Sequence, residues 1–155
     1  MNAVTGAWQV RPTMPAEVSR RLVDTAIGRA SSMSTPVTVV TVDESGVIKE
    51  LHRMDGAPLV SVQTAWNKAY AAAAIGMPPD DFYSAIESDG AAVASFATRP
   101  GIALIGGGIP VVVDGRVAGA IGVAGAMTAA EDRLIAEAAA GEAGQAGQAG
   151  KPVNR

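Results

Sequence analysis

The sequence predicts an α+β fold in which an antiparallel sheet of about five strands is flanked by helices. Helical and hairpin patterns follow one another in the order helix, hairpin, helix, helix, hairpin, helix, and tight hairpins join antiparallel neighbours. The strongest hairpin signal is Asp114-Gly115, a two-residue turn of the type I′ class between the β-branched run 109–113 and a returning strand at 116–123. Such a sheet with helical cover is profilin-like.

The first two helices have apolar stripes at helical spacing. Apolar residues at 18, 22, 23, 26 and 27 follow Pro15, a residue suited to a first helical turn. A second stripe occupies positions 62, 65, 66, 69 and 73, and Gly76 followed by Pro78 is the expected stop chemistry. Both segments are therefore predicted as amphipathic helices.

The last two helices are predicted from their N-terminal residues. A short helix should begin near Asp80 or Asp81 and run towards residue 87, because acidic groups in a first turn complement the helix dipole. Thr128 and Glu131 form a capping box that opens a final helix, with Gly141 as its stop.

Five segments read as strands. The β-branched run 36–42 and residues 47–54 form a first hairpin around residues 43–46. Residues 102–105 read as a third strand, followed by the glycine run 106–108. The hairpin strands at 109–113 and 116–123 complete the predicted sheet of about five.

Length and composition indicate one domain. The chain has 155 residues, of which 48% are hydrophobic, enough for a single core. We expect an N-terminal arm over 1–14, the domain over 15–141, and a flexible low-complexity tail over 142–155, whose Gly, Ala and Gln residues bury no core. With only 4% aromatic residues the core buries little area, which favours self-association into a homo-oligomer.

Charge and residue counts exclude several classes of function. The net charge of -3 has no basic stripe for nucleic acid. Zero cysteines exclude disulfides and thiolate metal sites, and a single histidine excludes a multi-histidine site within one chain. There is no signal-peptide pattern and no membrane-spanning apolar run. A cytoplasmic protein without nucleic-acid or membrane partners is the expectation.

The segment 52–56 carries the first candidate site residues. His52 is the only imidazole, and therefore the only nitrogenous haem ligand or near-neutral general base that the chain offers. Arg53 and Asp55 lie at the end of a predicted strand, where they either line a pocket or serve as surface and turn residues. By strand alternation His52 shares a face with Met54, and Arg53 points the other way.

Other candidates lie on the second helix and in the later loops. Lys68 is expected on the flank of the second helix, as a solvated lysine or as a group that reaches an anion. The glycines 106–108 either present backbone N–H groups to an anion or permit a bend and close helix approach. Tyr70, Tyr83 and Arg99 are polar groups that could reach a cleft or occupy its rim.

Several blocks of the chain together resemble the GlcG/HbpS-like haem-degrading family. The blocks are Val39-Val-Thr-Val-Asp-Glu-Ser-Gly46, Arg53-Met-Asp-Gly-Ala57, Lys68-Ala-Tyr-Ala-Ala72, Gly106-Gly-Gly-Ile-Pro110 with Asp114-Gly115, and Gly119-Ala-Ile-Gly-Val-Ala-Gly125. They occur in the family's order over roughly residues 15–140, which makes the resemblance specific as a fold prediction. It also covers the C-terminal domain of PduO-type corrinoid adenosyltransferases.

The resemblance implies a compact protomer that assembles into dimers or larger rings and a family whose members include haem binders. It therefore makes haem the candidate cofactor. His52, as the only imidazole, is the candidate axial ligand. It also suggests that Lys68 reaches an anionic group such as a haem propionate or a substrate carboxylate. The candidate binding residues of the chain are Arg53, Met54, Trp66, Met77, Arg99, Gly106, Gly107 and Gly108.

Three functions follow from these residues and stay open on the sequence. The first is a small-molecule binding protein for haem or a related tetrapyrrole, with apolar walls from Met54, Trp66 and Met77. The second is a cofactor-independent lyase or isomerase of a catabolic pathway, in which Lys68 or Arg53 holds a carboxylated or carbonyl substrate and His52 or Asp55 moves a proton. The third is a non-catalytic accessory or scaffold protein. We favour the first.

Overall fold

The computed structural model describes residues 9–149, with side chains through Glu142. The expected arm and tail therefore lie partly outside the described residues. Five helices and four strands are present in the described range. In chain order they are α1 (Ala16–Ser32), β1 (Thr38–Asp43), β2 (Ile48–Arg53), α2 (Val60–Ile75), α3 (Pro79–Ile86), α4 (Gly90–Ala97), β3 (Gly108–Val113), β4 (Arg116–Ala124) and α5 (Ala129–Ala149).

The sheet is antiparallel throughout and has the strand order β2-β1-β4-β3. The α+β class and both predicted hairpins are confirmed. Asp114 and Gly115 have φ angles of 49° and 74°, the two positive values that a type I′ turn requires.

The prediction of about five strands was wrong by one, because residues 102–105 form a loop rather than a strand. This segment lies between Gly101 and Gly107, whose φ angles of 77° and 117° turn the backbone away from extended geometry at both ends. The apolar run that resembled a strand instead contributes Leu104 and Ile105 to a cleft described below.

Helices cover both faces of the sheet. Helix α2 packs on one face against an alanine-rich cluster with β1 and β4, and α1 and α5 pack together on the other face. Small residues set the distance between α2 and the sheet. A Cβ atom at Gly122 of β4 would collide with the carbonyl oxygen of Ala65 and lie 2.6 Å from the backbone nitrogen of Ala69. The helix backbone therefore rests directly on the strand.

The helix ends test the capping predictions. Glu131 accepts from the backbone N–H of Thr128 at 3.1 Å and donates its own N–H to the Thr128 hydroxyl at 3.2 Å, which confirms the capping box. Gly76 has a left-handed φ of 82° after the last residue of α2, as predicted. The predicted stop at Gly141 was wrong, since α5 continues to Ala149. The last part of α5 contains three glycines at 141, 144 and 147, each costing about 1 kcal/mol relative to alanine, but they alternate with Ala, Glu and Gln, which are good helix formers.

Helix α4 was not anticipated. Its N-cap is Asp89, whose carboxylate accepts from the backbone N–H groups of Ala91 and Ala92 at 3.1 Å each. The helix is apolar, yet none of its residues is buried, and its main helical neighbour is α3.

Candidate functional site

The predicted motifs gather at one end of the sheet. Thr38 at the start of β1 pairs with Arg53 at the end of β2 and with Ala124 at the end of β4, and Gly108 opens β3 at the same level. The motifs nevertheless lie at opposite edges. From His52 on β2 to Gly107 beside β3 there are three strand spacings, or about 14 Å. A single small pocket does not join them.

Lys68 is buried, which corrects the expectation of a flanking, solvated lysine. Its side chain is 1% exposed. Its Nζ donates to Asp132 Oδ2 at 2.7 Å and to the carbonyl oxygen of Val123 at 3.1 Å. The anion that Lys68 reaches is therefore a carboxylate of its own chain. Gly107 leaves room for the ammonium group, because a Cβ there would lie 3.0 Å from Lys68 Nζ.

Asp132 is the acidic partner in this ion pair. Its Oδ1 accepts from the backbone N–H of Ala126 at 3.0 Å, which fixes the turn that leads into α5. Burial raises the pKa of Asp132 above its ordinary value, and the hydrogen bond and positive charge of Lys68 oppose that rise. The pair links α2, the end of β4 and α5.

Glycines 106–108, which lead into and begin β3, allow close approach of neighbouring backbones. The backbone of Gly107 accepts from the N–H of Val123 at 2.8 Å. A Cβ at Gly107 would lie 2.5 Å from the Val123 carbonyl oxygen and 3.0 Å from Lys68 Nζ. A Cβ at Gly108 would collide with the Lys68 carbonyl, and one at Gly106 would lie 2.8 Å from the Ala129 carbonyl oxygen. These contacts favour the bend over an anion site.

The segment 52–55 forms an exposed edge and turn. The guanidinium of Arg53 donates from Nε at 3.0 Å and from Nη2 at 2.6 Å to the carbonyl of Ala57, which closes its own turn. Asp55 is exposed in that turn, and His52 is exposed on the edge strand β2. Met54 packs against the α1 and α5 core, and its sulfur accepts from the N–H of Val37 at 3.5 Å.

The remaining predicted residues lie apart from one another. Trp66, on the α2 side of the sheet, lines a groove of about 290 Å³ with Tyr70 and Pro100. Met77 is exposed beyond the end of α2. Arg99 stacks over the ring of Phe96 at 5.1 Å. Met54 and Trp66 lie on opposite faces of the sheet, so the structure does not bring the proposed apolar wall together.

A cleft of about 670 Å³ lies between α3, the loop before β3 and the first turns of α5. Its lining includes one of the predicted residues, Gly106, and one of the rim candidates, Tyr83. Most of the other contacts are apolar. The full lining consists of Asp80, Tyr83, Leu104, Ile105, Gly106, Ala129, Ala130, Arg133, Leu134 and Glu137.

Arg133 holds two walls of this cleft together. From α5 it donates to Asp80 at 2.7 Å and to Asp81 at 2.6 Å, both in the first turn of α3, and to Glu137 at 2.7 Å. These hydrogen bonds raise the pKa of Arg133 above its ordinary value. The other oxygen of Asp80, Oδ1, is buried and has no hydrogen-bond partner in the described part of the chain.

Sequence reasoning missed most of this cleft. The sequence pattern identifies Asp80 and Asp81 only as first-turn acids, and it predicts a strand at 102–105 where the structure has a loop that lines the cleft. No pattern in the sequence pairs Arg133 with residues some fifty positions earlier. Within residues 9–149 no helix is long and apolar enough to cross a membrane, and the described residues contain no cluster of three metal-ligating side chains.

Comparisons with known proteins agree on a family. The family described as "Haem degrading protein HbpS-like" matches residues 14–141. An uncharacterized 15.0 kDa protein from the dhaT-dhaS intergenic region of Citrobacter freundii is 30% identical over 128 residues, which cover 82% of this chain and 89% of that protein. Protein GlcG of Escherichia coli is 36% identical over 87 residues, or 56% of this chain and 63% of GlcG.

Solved structures share the fold. Protein ORFY of Klebsiella pneumoniae matches with a TM-score of 0.82 at 25% identity, over 92% of this chain and 98% of that one. A double mutant of HbpS from Streptomyces reticuli matches with a TM-score of 0.82 at 27% identity, over 92% and 94%. PduOC, solved as a haem complex, matches with a TM-score of 0.74 at 26% identity, over 83% and 94%. The chain therefore belongs to the GlcG/HbpS-like family.

Proposed function

We propose that this protein binds haem or a related tetrapyrrole in the cleft between α3 and α5. The observation that carries the proposal is the cleft itself. Its volume of about 670 Å³ lies within the range of about 300–1,000 Å³ typical of small-molecule sites. Family membership and the haem complex of PduOC support haem as the ligand class.

The lining suits a flat apolar macrocycle. Leu104 and Ile105 stand on the loop, and Leu134, 51% exposed, stands on α5. Exposed apolar groups that converge on one cleft gain free energy when a ligand removes them from water, at about 25 cal/mol per Å². When bound, haem would supply an iron centre open to an axial side chain and a small ligand.

The charges of the cleft orient such a ligand. Asp80, Asp81 and Glu137 surround the one guanidinium of Arg133, so this side of the cleft carries a net negative charge. Two propionates would be repelled there and would lie at the opposite, solvent-facing side. The cluster leaves Arg133 as a clamp between helices rather than as a propionate partner.

We propose in addition that the protein is a homo-oligomer. Helix α4 is apolar and has no buried residue, and Leu59 and Val60 at the start of α2 are 77% and 72% exposed. Contact with a second copy would cover these surfaces. Light scattering during size-exclusion chromatography tests this: a mass of 15.6 kDa at micromolar concentration would contradict it.

The test of haem binding is a titration of the apoprotein with ferric haem, followed by absorbance. Ala130 is exposed and lines the cleft, so Ala130→Trp should fill it and weaken binding about tenfold or more. Ala74→Trp is the matched control, because Ala74 is also an exposed helical alanine but lines a cavity at the far end of α2. Saturable binding that both variants retain equally would contradict the proposed location.

A further inference from the structure

The cleft lining restricts how the protein could hold an iron. The side chains that most often ligate haem iron in proteins are histidine, cysteine, methionine and tyrosine. The chain has no cysteine and one histidine, and that histidine lies on β2, at the sheet edge opposite β3. Among the residues that line the cleft only Tyr83 belongs to these four types.

Tyr83 lies on α3, a helix anchored on two sides, and its hydroxyl has no partner among the described residues. Helix α3 is fixed on one side by the ion pairs from Arg133. On another side Phe82 meets Phe96 edge to face, with ring centroids 5.0 Å apart and planes at 81°. The Tyr83 side chain is 40% exposed, and its hydroxyl has no hydrogen-bond partner within the described part of the chain.

We propose that Tyr83 is the axial ligand of the bound haem, through its phenolate oxygen. On binding, the phenolic O–H releases its proton to solvent and an oxygen electron pair forms the bond to ferric iron. No change of oxidation state takes place. The inference rests on the proposed haem function and adds to it the group that contacts the metal.

Competing ligands are few and can be tested separately. Met127 is 93% exposed and lies two residues before Ala129, which lines the cleft. The thioether of Met127 is therefore one alternative ligand, and His52 is the alternative at the other edge of the sheet. Each ligand type gives ferric haem a distinct absorption and electron paramagnetic resonance spectrum.

The experiment compares the ferric haem complexes of the whole protein and of four variants. Tyr83→Phe removes only a hydroxyl without a partner, so its melting temperature should match the parent. We expect this variant to lose the high-spin phenolate signature and to bind haem about tenfold or more weakly. Tyr70→Phe, Met127→Leu and His52→Ala should keep both the spectrum and the affinity.

The outcomes separate the two proposals. If the parent protein shows no saturable haem binding, the proposed function fails. If the parent binds haem but Tyr83→Phe leaves its spectrum unchanged, or if Met127→Leu or His52→Ala abolishes it, haem binding stands and the role of Tyr83 is overturned.

Discussion

Two neighbouring residues of α5 form ion pairs in opposite environments. Asp132 points inward to Lys68, and the two side chains are 6% and 1% exposed. Arg133 points towards the cleft, where it is 27% exposed and meets two carboxylates of α3 with exposures of 31% and 52%. The same turn of helix thus carries one isolated buried pair and one solvated cluster.

The difference indicates which ion pair stabilises the fold and which one shapes the cleft. A buried pair has given up its hydration, so removal of one partner leaves an uncompensated charge in the interior. A solvated cluster keeps water as an alternative partner and is screened by salt. We infer that Lys68 and Asp132 maintain the layers, whereas Arg133 adjusts the separation of α3 and α5.

The largest effect should come from Lys68→Met, which keeps the length of the side chain but removes its charge. Leaving Asp132 buried alone should lower the free energy of unfolding by about 3–5 kcal/mol, measured by denaturant titration. The double variant Lys68→Met with Asp132→Leu should recover most of that loss. A single-variant loss below about 1 kcal/mol would show that the pair is not a structural element.

The loss in Lys68→Met should depend on pH. Burial already raises the pKa of Asp132 above 3.8, and without Lys68 nothing of that strength opposes the rise. The folded state then binds a proton that the unfolded chain has released, so the unfolding free energy falls as the pH rises above about 4. The penalty should therefore be smaller in acid than at neutral pH. A penalty that grows in acid would contradict this assignment.

Gly107→Ala should cause the next largest loss in the free energy of unfolding, about 2–5 kcal/mol. The new Cβ would meet the Val123 carbonyl and Lys68 Nζ, and the positive φ adds backbone strain. Gly115→Ala is the matched control. Its φ of 74° is also left-handed, but nothing lies within 4 Å of its Cβ, so only about 1–2 kcal/mol is expected. Equal losses in thermal or denaturant unfolding would mean that the close approach at Gly107 contributes nothing.

Arg133→Gln should have the smallest effect on stability, about 1 kcal/mol, and that effect should shrink at high salt. Its control is Arg21→Gln, which breaks a fully surface pair with Glu17 and should cost about 0.3 kcal/mol. Haem affinity separates the two variants: Arg133→Gln should weaken binding because α3 loses its clamp, and Arg21→Gln should not. Equal haem affinities of the two variants would contradict a role for Arg133 in the cleft.

Local chemistry made most of the fold predictable. The Asp114-Gly115 turn, the Thr128 capping box and the Gly76 stop are short-range signals, and each holds in the structure. The prediction of a strand at 102–105 was wrong, because a short apolar run has the same pattern in a strand and in a loop that lines a cleft.

The site was less predictable because its contacts are long-range. Lys68 meets Asp132 across 64 positions and Arg133 meets Asp80 across 53, and helical spacing says nothing about partners on another layer. The sequence pattern gives Tyr83 as a polar group that could reach a cleft, but the cleft is formed only by the packing of α3, the loop before β3 and α5 against one another.

The most direct test of the account is a crystal structure of the protein with bound ferric haem. We expect the macrocycle between the 104–106 loop and the first turns of α5, with the iron facing α3. Haem seated at the β2 edge beside His52, with the cleft between α3 and α5 empty, would contradict the account.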